Sequence, residues 1–355
     1  MKLGILGLPQ VGRRTVFKLL TGMPAEKAPR KHGITQGIAP VRDPRIDRLV
    51  EMYTPKKMRY AEFDIALPPH VEPDATRGAE WLGAIRQTDA LLHVVRAFQS
   101  PSVFHIRGTV DPQRDVDDVE TELLLADLDL VDKRLERMHR EQTAINDAAQ
   151  KREKAILERF KTHLEQEQSL RTLPISEADE KVVRSLQLLT LKPMIVVFNA
   201  DDDLDAAEAE LEPLAEHLKQ GGSEVVFLSA AIEEEMMQLD EEETALFMDD
   251  LNLSEPAAHR LSRAAYQSLG LISFFTVGPD EVRAWPVRRG ATAPRAASVI
   301  HSDIERGFIR AETIAYDDLM KAGSEKAAKE KNLYRLNGKE YVVRDGDIIE
   351  FRFNV

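Results

Sequence analysis

The chain has 355 residues, 43% of them hydrophobic and 31% charged, with no cysteine and a formal net charge of −13. That length asks for two or three domains of ordinary globular composition, and the missing cysteines exclude disulfides, thiolate catalysis and Cys-ligated zinc. No apolar run approaches a membrane span and the N-terminus lacks a signal-peptide pattern, so a cytoplasmic protein with no membrane partner is expected.

Lys2-Leu3-Gly4-Ile5-Leu6 reads as a short apolar strand, and Thr15-Val16-Phe17-Lys18-Leu19-Leu20 as the start of a helix. Between them runs Gly7-Leu8-Pro9-Gln10-Val11-Gly12-Arg13-Arg14. This is the strand–turn–helix setting of a phosphate-binding loop, with glycine at its first and sixth positions so that backbone N–H groups wrap a phosphate. Such a loop then needs Lys for the outer phosphates and a Ser or Thr hydroxyl for Mg²⁺. Arg13 and Arg14 hold those two positions. Arg13 keeps a positive charge, but a planar fork does not act as the point charge of a lysine. Arg14 removes the hydroxyl and sets a cation where a metal would bind, so Mg²⁺ ligation is in question. Thr15 lies one residue late and is expected to point elsewhere. The alternative reading is a glycine-rich turn that only packs strand against helix.

Charge is distributed unevenly. Residues 1–60 carry 13 Lys/Arg against 4 Asp/Glu, whereas residues 201–256 carry 19 Asp/Glu against one Lys. A basic face of this kind can meet phosphate even in an acidic protein. The acidic segment reads as a solvated helix face, and so do Glu233-Glu234-Glu235 and Asp240 to Glu243 within it.

Farther along, Glu62-Phe63-Asp64-Ile65-Ala66, Ala90-Leu91-Leu92-His93-Val94-Val95, Met194-Ile195-Val196-Val197-Phe198 and Glu224-Val225-Val226-Phe227-Leu228 look like buried strands of a mostly parallel sheet. Leu124, Leu128, Val131, Leu135 and Met138 recur at coiled-coil spacing. With a turn near Asn146 and a stripe of Ile156, Phe160 and Leu164, they predict a helical hairpin inserted between strands. From about Phe274 the pattern becomes β-rich, over Val282 to Val287 and Tyr341 to Val355. A helix runs from Pro294 to Ile300, and Asp345-Gly346 marks a tight turn. The expected division is 1–115 with 191–272, an inserted helical part at 116–190, and a C-terminal α+β domain at 273–355.

Residues spread over the whole length carry a family resemblance. They include Phe275-Thr276-Val277-Gly278, Glu281-Val282-Arg283-Ala284-Trp285, Val299-Ile300-His301, Glu305-Arg306-Gly307-Phe308-Ile309-Arg310-Ala311-Glu312 and Tyr316-Asp317-Asp318. The ending Asp345-Gly346-Asp347 … Phe351-Arg352-Phe353-Asn354-Val355 adds to these, as do Arg171-Thr172-Leu173 and Asp43-Pro44-Arg45. The chain resembles the YchF-type Obg-like ATPases. The resemblance implies an α/β fold: a Ras-like P-loop NTPase domain, an inserted coiled coil and a C-terminal TGS domain, which is a ubiquitin-like β-grasp. It also implies binding of a purine nucleotide, ATP or GTP, and association with the ribosome in translation.

The same resemblance assigns the site. That family's loop reads Gly-Leu-Pro-Asn-Val-Gly-Lys-Ser-Thr, so Gly7, Val11, Gly12 and Thr15 match it, Gln10 stands for Asn, and Arg13 and Arg14 for Lys and Ser. Its Asp-Ile-Ala-Gly-Leu supplies a metal-side Asp, matched by Asp64, and a glycine whose N–H meets the outermost phosphate. Here Leu67-Pro68-Pro69 follows Asp64-Ile65-Ala66, and His70 to Thr76 replaces a glycine-rich stretch. Thr35 is the nearest counterpart of a switch threonine. Asn199 matches a base-recognising Asn, with a strand-end turn as its alternative role. Asp202 replaces a Glu, with a helix cap as its alternative. Ser229-Ala230-Ala231 matches the loop beside the base. Together these changes predict weak ATP or GTP binding with impaired hydrolysis and no catalytic residue to name. The rival readings are a weak but genuine ATPase or GTPase, and a nucleotide-free protein-interaction module.

Overall fold

The computed structural model describes residues 1–70, 80–140, 148–250, 253 and 255–354. The turn expected near Asn146 and most of the segment from His70 to Thr76 lie outside the described residues. In chain order the first elements are β1 (Lys2–Leu6), α1 (Arg13–Thr21), β2 (Arg30–Lys31), β3 (Ile34–Val41), α2 (Pro44–Tyr53), β4 (Lys57–Arg59) and β5 (Ala61–Leu67). Next come α3 (Glu80–Arg86), β6 (Ala90–Arg96), α4 (Pro112–Arg140), α5 (Ala148–Glu165), α6 (Glu177–Val183) and β7 (Met194–Asn199). They are followed by α7 (Leu204–Gln220), β8 (Ser223–Leu228), α8 (Ala230–Met236), α9 (Glu241–Asp250) and α10 (Ala257–Ser268). The remainder holds β9 (Leu271–Thr276), β10 (Glu281–Arg288), α11 (Ala293–Ile300), α12 (Ser302–Arg306) and β11 (Phe308–Ala315). It ends with α13 (Tyr316–Ala322), α14 (Glu325–Glu330), β12 (Arg335–Asn337) and β13 (Asp347–Phe353).

By packing, the chain forms two compact units, Met1–Gly37 with Asp64–Leu261, and Ile38–Phe63 with Ser262–Val355. The strands β3 and β5 carry the chain from one to the other. In the first unit's sheet the order is β2-β3-β5-β1-β6-β7-β8, and β5, β1, β6, β7 and β8 are parallel neighbours. Strands covered on both faces need no alternation, which is why β6 and β7 are buried along their whole length. In such a sheet the loops after the strand C-termini converge on one edge. Here that edge collects the residues after Leu6, Leu67, Arg96, Asn199 and Leu228.

The helical hairpin α4/α5 has its own core. Val131, Met138, Ile156, Leu157, Phe160 and Leu164 are buried in it, with Leu124, Leu128 and Leu135 packed against them, as the heptad spacing predicts. That spacing does not reveal Asp127, fully buried on α4. Its carboxylate accepts from the backbone N–H groups of Leu189 (2.9 Å) and Thr190 (2.7 Å), from Thr190 Oγ1 (2.9 Å) and from Arg86 Nη1 (3.1 Å). Two residues on, Lys192 Nζ donates to the carbonyls of Ile85, Arg86 and Thr88 at the end of α3. Burial lowers that amine to about 8. These contacts hold α3, α4 and the entry to β7 together, and β7 ends at Asn199.

In the second unit the sheet order is β12-β11-β13-β9-β10-β4, with β9 and β13 parallel and α11 packed on a core of Ile272, Phe274, Val287, Phe308 and Ile349. The predicted turn at Asp345-Gly346 is present, with Gly346 at φ +86° and Asp347 N–H donating to the Arg344 carbonyl. Asp345 also joins Arg45, which bonds Asp43 as well, so the short motif at residues 43–45 is tied to the C-terminal turn.

Candidate nucleotide-binding site

The loop between β1 and α1 adopts the backbone that its glycines permit. Gly7 lies at φ +145°, and a Cβ there would stand 2.5 Å from the carbonyl oxygen of Val94. Gly12 lies at φ +98° as the N-cap of α1, with no side-chain cap on the helix, and a Cβ there would collide with Asn199 Nδ2. The first turn of α1 therefore presents its N–H groups and positive dipole end without a competing side chain, a ready anion site.

Asn199 holds the loop in place. Its Nδ2 donates to the Val11 carbonyl (3.0 Å) and its Oδ1 accepts from Ala230 N–H (2.9 Å). At the end of β7, it is thus a strut between the loop and the start of α8. Beside it, Asp201 accepts from Gln99 N–H, and Asp203 caps α7 through Ala206 N–H. The cap role considered for Asp202 belongs to Asp203. Asp202 has one oxygen on the Ser229 hydroxyl (3.3 Å) and lines the cleft. Buried Arg96 donates to the carbonyls of Phe98 and Val103, two residues that line the cleft.

These loops enclose a cleft of about 1010 Å³. Gln10, Gly12, Arg13, Arg14, Thr15, Asn199, Asp202, Ser229, Ala230 and Ala231 all line it. Thr35 does too, and so does Thr15, contrary to the expectation that it points away. Gly7 and Val11 are not part of the lining; they shape the loop from beneath, Val11 with its side chain buried. Sequence reasoning missed Arg30, Phe98, Val103 and Glu234 on the walls. Arg13 and Arg14 stand on α1 and Asp201 and Asp202 follow β7, which gives the cleft cations at the helix end and acids at the β7 end, with Glu234 on the wall held by Lys18 of α1.

A family profile described as YchF-GTPase_C, "Protein of unknown function (DUF933)", matches residues 271–354. Along its whole length the chain is 39% identical over 361 residues to the "Ribosome-binding ATPase YchF" of Haemophilus influenzae, covering 100% of this chain and 99% of that protein. It is 40% identical over 368 residues to the protein of the same name in Bacillus subtilis, covering 99% of each. The chain belongs to the YchF family. The solved structure of the Schizosaccharomyces pombe YchF GTPase superposes with a TM-score of 0.87 at 32% identity, covering 99% of this chain and 97% of that one. The α/β fold with a helical insertion and a C-terminal domain is therefore a YchF fold.

Within this YchF chain the two arginines point to different places. Arg13 Nη1 donates to the carbonyls of Pro68 (3.1 Å) and Pro69 (3.2 Å). Burial, helped by neighbouring Arg14, lowers its guanidinium to about 10. Arg14 reaches outward to Glu26 (3.1 Å), both side chains being more than half exposed.

Asp64 requires a correction. It pairs with Lys2 in the β5–β1 register, at the end of the strand remote from the loop, and its half-exposed carboxylate lies 3.7 Å from the Met1 amino group. Carrying that register forward sets Pro68 beside Leu6. β5 ends at Leu67, and the residue that follows it, where a metal-side carboxylate is wanted, is a proline. Among the described residues no group of three or more His, Asp or Glu is placed to hold a metal. A second correction concerns Glu233, read as exposed. It is buried, and its carboxylate accepts from the N–H groups of Ala257 and Ala258, fixing the start of α10.

His93 on β6, opposite Leu6, is buried with no partner for Nε2 among the described residues. Burial, with Arg171 and Arg13 adding, lowers its imidazole to about 3. An exposed imidazole titrates near 6.5, so below that pH the unfolded chain binds a proton that the folded chain refuses. The stability it contributes is present above pH 6.5 and lost as the pH falls toward 3. Urea unfolding between pH 6.5 and 4.5 is expected to show a slope of up to about 1.4 kcal/mol per pH unit that His93→Gln removes. An unchanged slope in the variant would place the acid sensitivity elsewhere.

Proposed function

We propose that this YchF-family chain binds a purine nucleotide in the cleft between α1 and the Asn199–Asp202 and Ser229–Ala231 loops, and that it works on the ribosome with little or no hydrolysis. The observation that carries the reading is the polarity of the cleft. An uncapped helix N-terminus and Arg13 suit phosphates at one end. Asp202, with a carboxylate oxygen to spare, suits the donor groups of a purine at the other. ATP and GTP are both candidates, and Gln10, Arg13, Arg14 and Thr15 would meet the phosphates. The ribosome enters from the names of the relatives. Helices 116–190 and the C-terminal part 273–355, the latter as a TGS domain, are the surfaces proposed to meet it. No described helix is long and apolar enough to cross a membrane.

Hydrolysis is expected to be weak because phosphoryl transfer depends on Mg²⁺-assisted charge stabilisation and on a switch N–H at the outermost phosphate. Arg14 supplies no metal-ligating oxygen, Asp64 stands mid-strand opposite Lys2 at the far end of β1, and Pro68 and Pro69 have no N–H to offer. Titration calorimetry with ATP, ADP, GTP and GDP is expected to show weak binding that a chelator leaves unchanged, and Arg13→Ala is expected still to sediment with ribosomes. Tight binding that collapses without Mg²⁺ would favour a genuine NTPase. No binding heat with any nucleotide would favour the nucleotide-free interaction module.

A further inference from the structure

We infer that Arg13 couples occupancy of the phosphate loop to the backbone of Leu67–His70, letting that segment loosen when an anion arrives. The inference rests on the reading of the cleft as a phosphate site and adds its regulation. Arg13 is half-buried on the cleft wall, and its side chain has the two proline carbonyls as its described partners. No described carboxylate pairs with it. Nη1 carries two hydrogens, one for each carbonyl, which leaves the donors on Nη2 and Nε for a ligand. A half-buried cation with neutral partners and no counter-ion among the described residues, beside an uncapped helix N-terminus, is set to receive an anion.

The proline segment gives this arrangement its direction. Pro68 and Pro69 have no N–H to donate to a phosphate, and their two carbonyl dipoles present oxygen to the same guanidinium that a phosphate would seek. Charge-assisted bonds to phosphate outcompete bonds to neutral carbonyls, and Arg fits phosphate bidentately. Drawing the guanidinium onto the phosphate weakens the hold on Pro68 and Pro69. The Arg14 head group lies on Glu26 and not on the two proline carbonyls, so among the described residues Arg13 alone makes that hold. The sense is opposite to that of a switch whose N–H groups bond the outermost phosphate and are ordered by it.

The absence of cysteine allows a direct test on the full chain. His70→Cys, exposed at the end of the segment, takes a single fluorophore whose anisotropy reports its motion. Inorganic pyrophosphate is the probe, and calorimetry on the labelled protein records binding in the same samples. Pyrophosphate is expected to lower the anisotropy in the Arg13 protein. Adding Arg13→Ala is expected to give the lowered value without anion, and no further fall with it. Pyrophosphate that binds while the anisotropy stays constant or rises would overturn the coupling and leave the phosphate site standing. Pyrophosphate that does not bind would bring down the phosphate site and the coupling with it. An Arg13→Ala anisotropy equal to that of the Arg13 protein without anion would overturn the hold on the prolines by itself.

Discussion

The double substitution Arg13→Lys with Arg14→Ser is expected to raise ATP or GTP affinity in the presence of Mg²⁺ by on the order of a hundredfold. Each recovered charge-assisted contact contributes roughly 1.5–3 kcal/mol, and two of them reach that factor. Little is lost in exchange, since the Arg14–Glu26 pair is exposed and such pairs contribute little. Phosphate release is expected to stay near the wild-type level. The double variant still has Leu67-Pro68-Pro69 where a switch N–H is required, and Asp64 still sits opposite Lys2. Turnover in the range of ordinary enzymes, roughly 1–10³ per second, would show that the proline segment was never the obstacle. Affinity unchanged by the double variant would show that the two arginines are not what weakens the site.

Asp127→Ala is expected to lower unfolding free energy by about 3–5 kcal/mol, the range for removing one member of a buried, hydrogen-bonded charge pair. The substitution strands two backbone N–H groups, those of Leu189 and Thr190, and leaves Arg86 without its carboxylate. Burial alone raises the Asp127 carboxyl, and the three donors and Arg86 pull it back, so the ionised form depends on all of them together. The effect is expected to reach the cleft, because these bonds fix the segment that enters β7 and so the position of Asn199. Chemical denaturation and nucleotide titration on one preparation test both halves. A loss below about 1 kcal/mol would mean that water replaces the carboxylate at this site.

Much of this was legible because it is local. The apolar runs at Lys2–Leu6 and Met194–Asn199, the glycines at 7 and 12, and the heptad leucines of α4 each announce themselves within a dozen residues. What escaped was register and long-range pairing. Asp64 carries the right side chain beside the right motif, and only the alignment of β5 on β1 shows that it faces the wrong end. Arg13 reads as a phosphate ligand, yet its partners in the fold are carbonyls 55 and 56 residues away. Asp127 sits in a helix full of charge, where nothing local separates a buried acid from its solvated neighbours. Glu233 was hidden in the same way among glutamates that do face water.

The packing of Ile38–Phe63 with the C-terminal residues has a consequence for how the chain is made. Lys56 and Asp280, whose contacts close the β4–β10 pair, are 224 residues apart. At about 5–20 residues per second of synthesis, β4 waits roughly 10–45 s for its partner to be translated. Throughout that interval the strands on either side of it, β3 and β5, have all their neighbours in the first sheet. The nascent chain thus holds a half-finished loop of about two dozen residues out of a sheet that is otherwise ready to close. Any factor that shields the loop during those seconds acts before its partner strand exists.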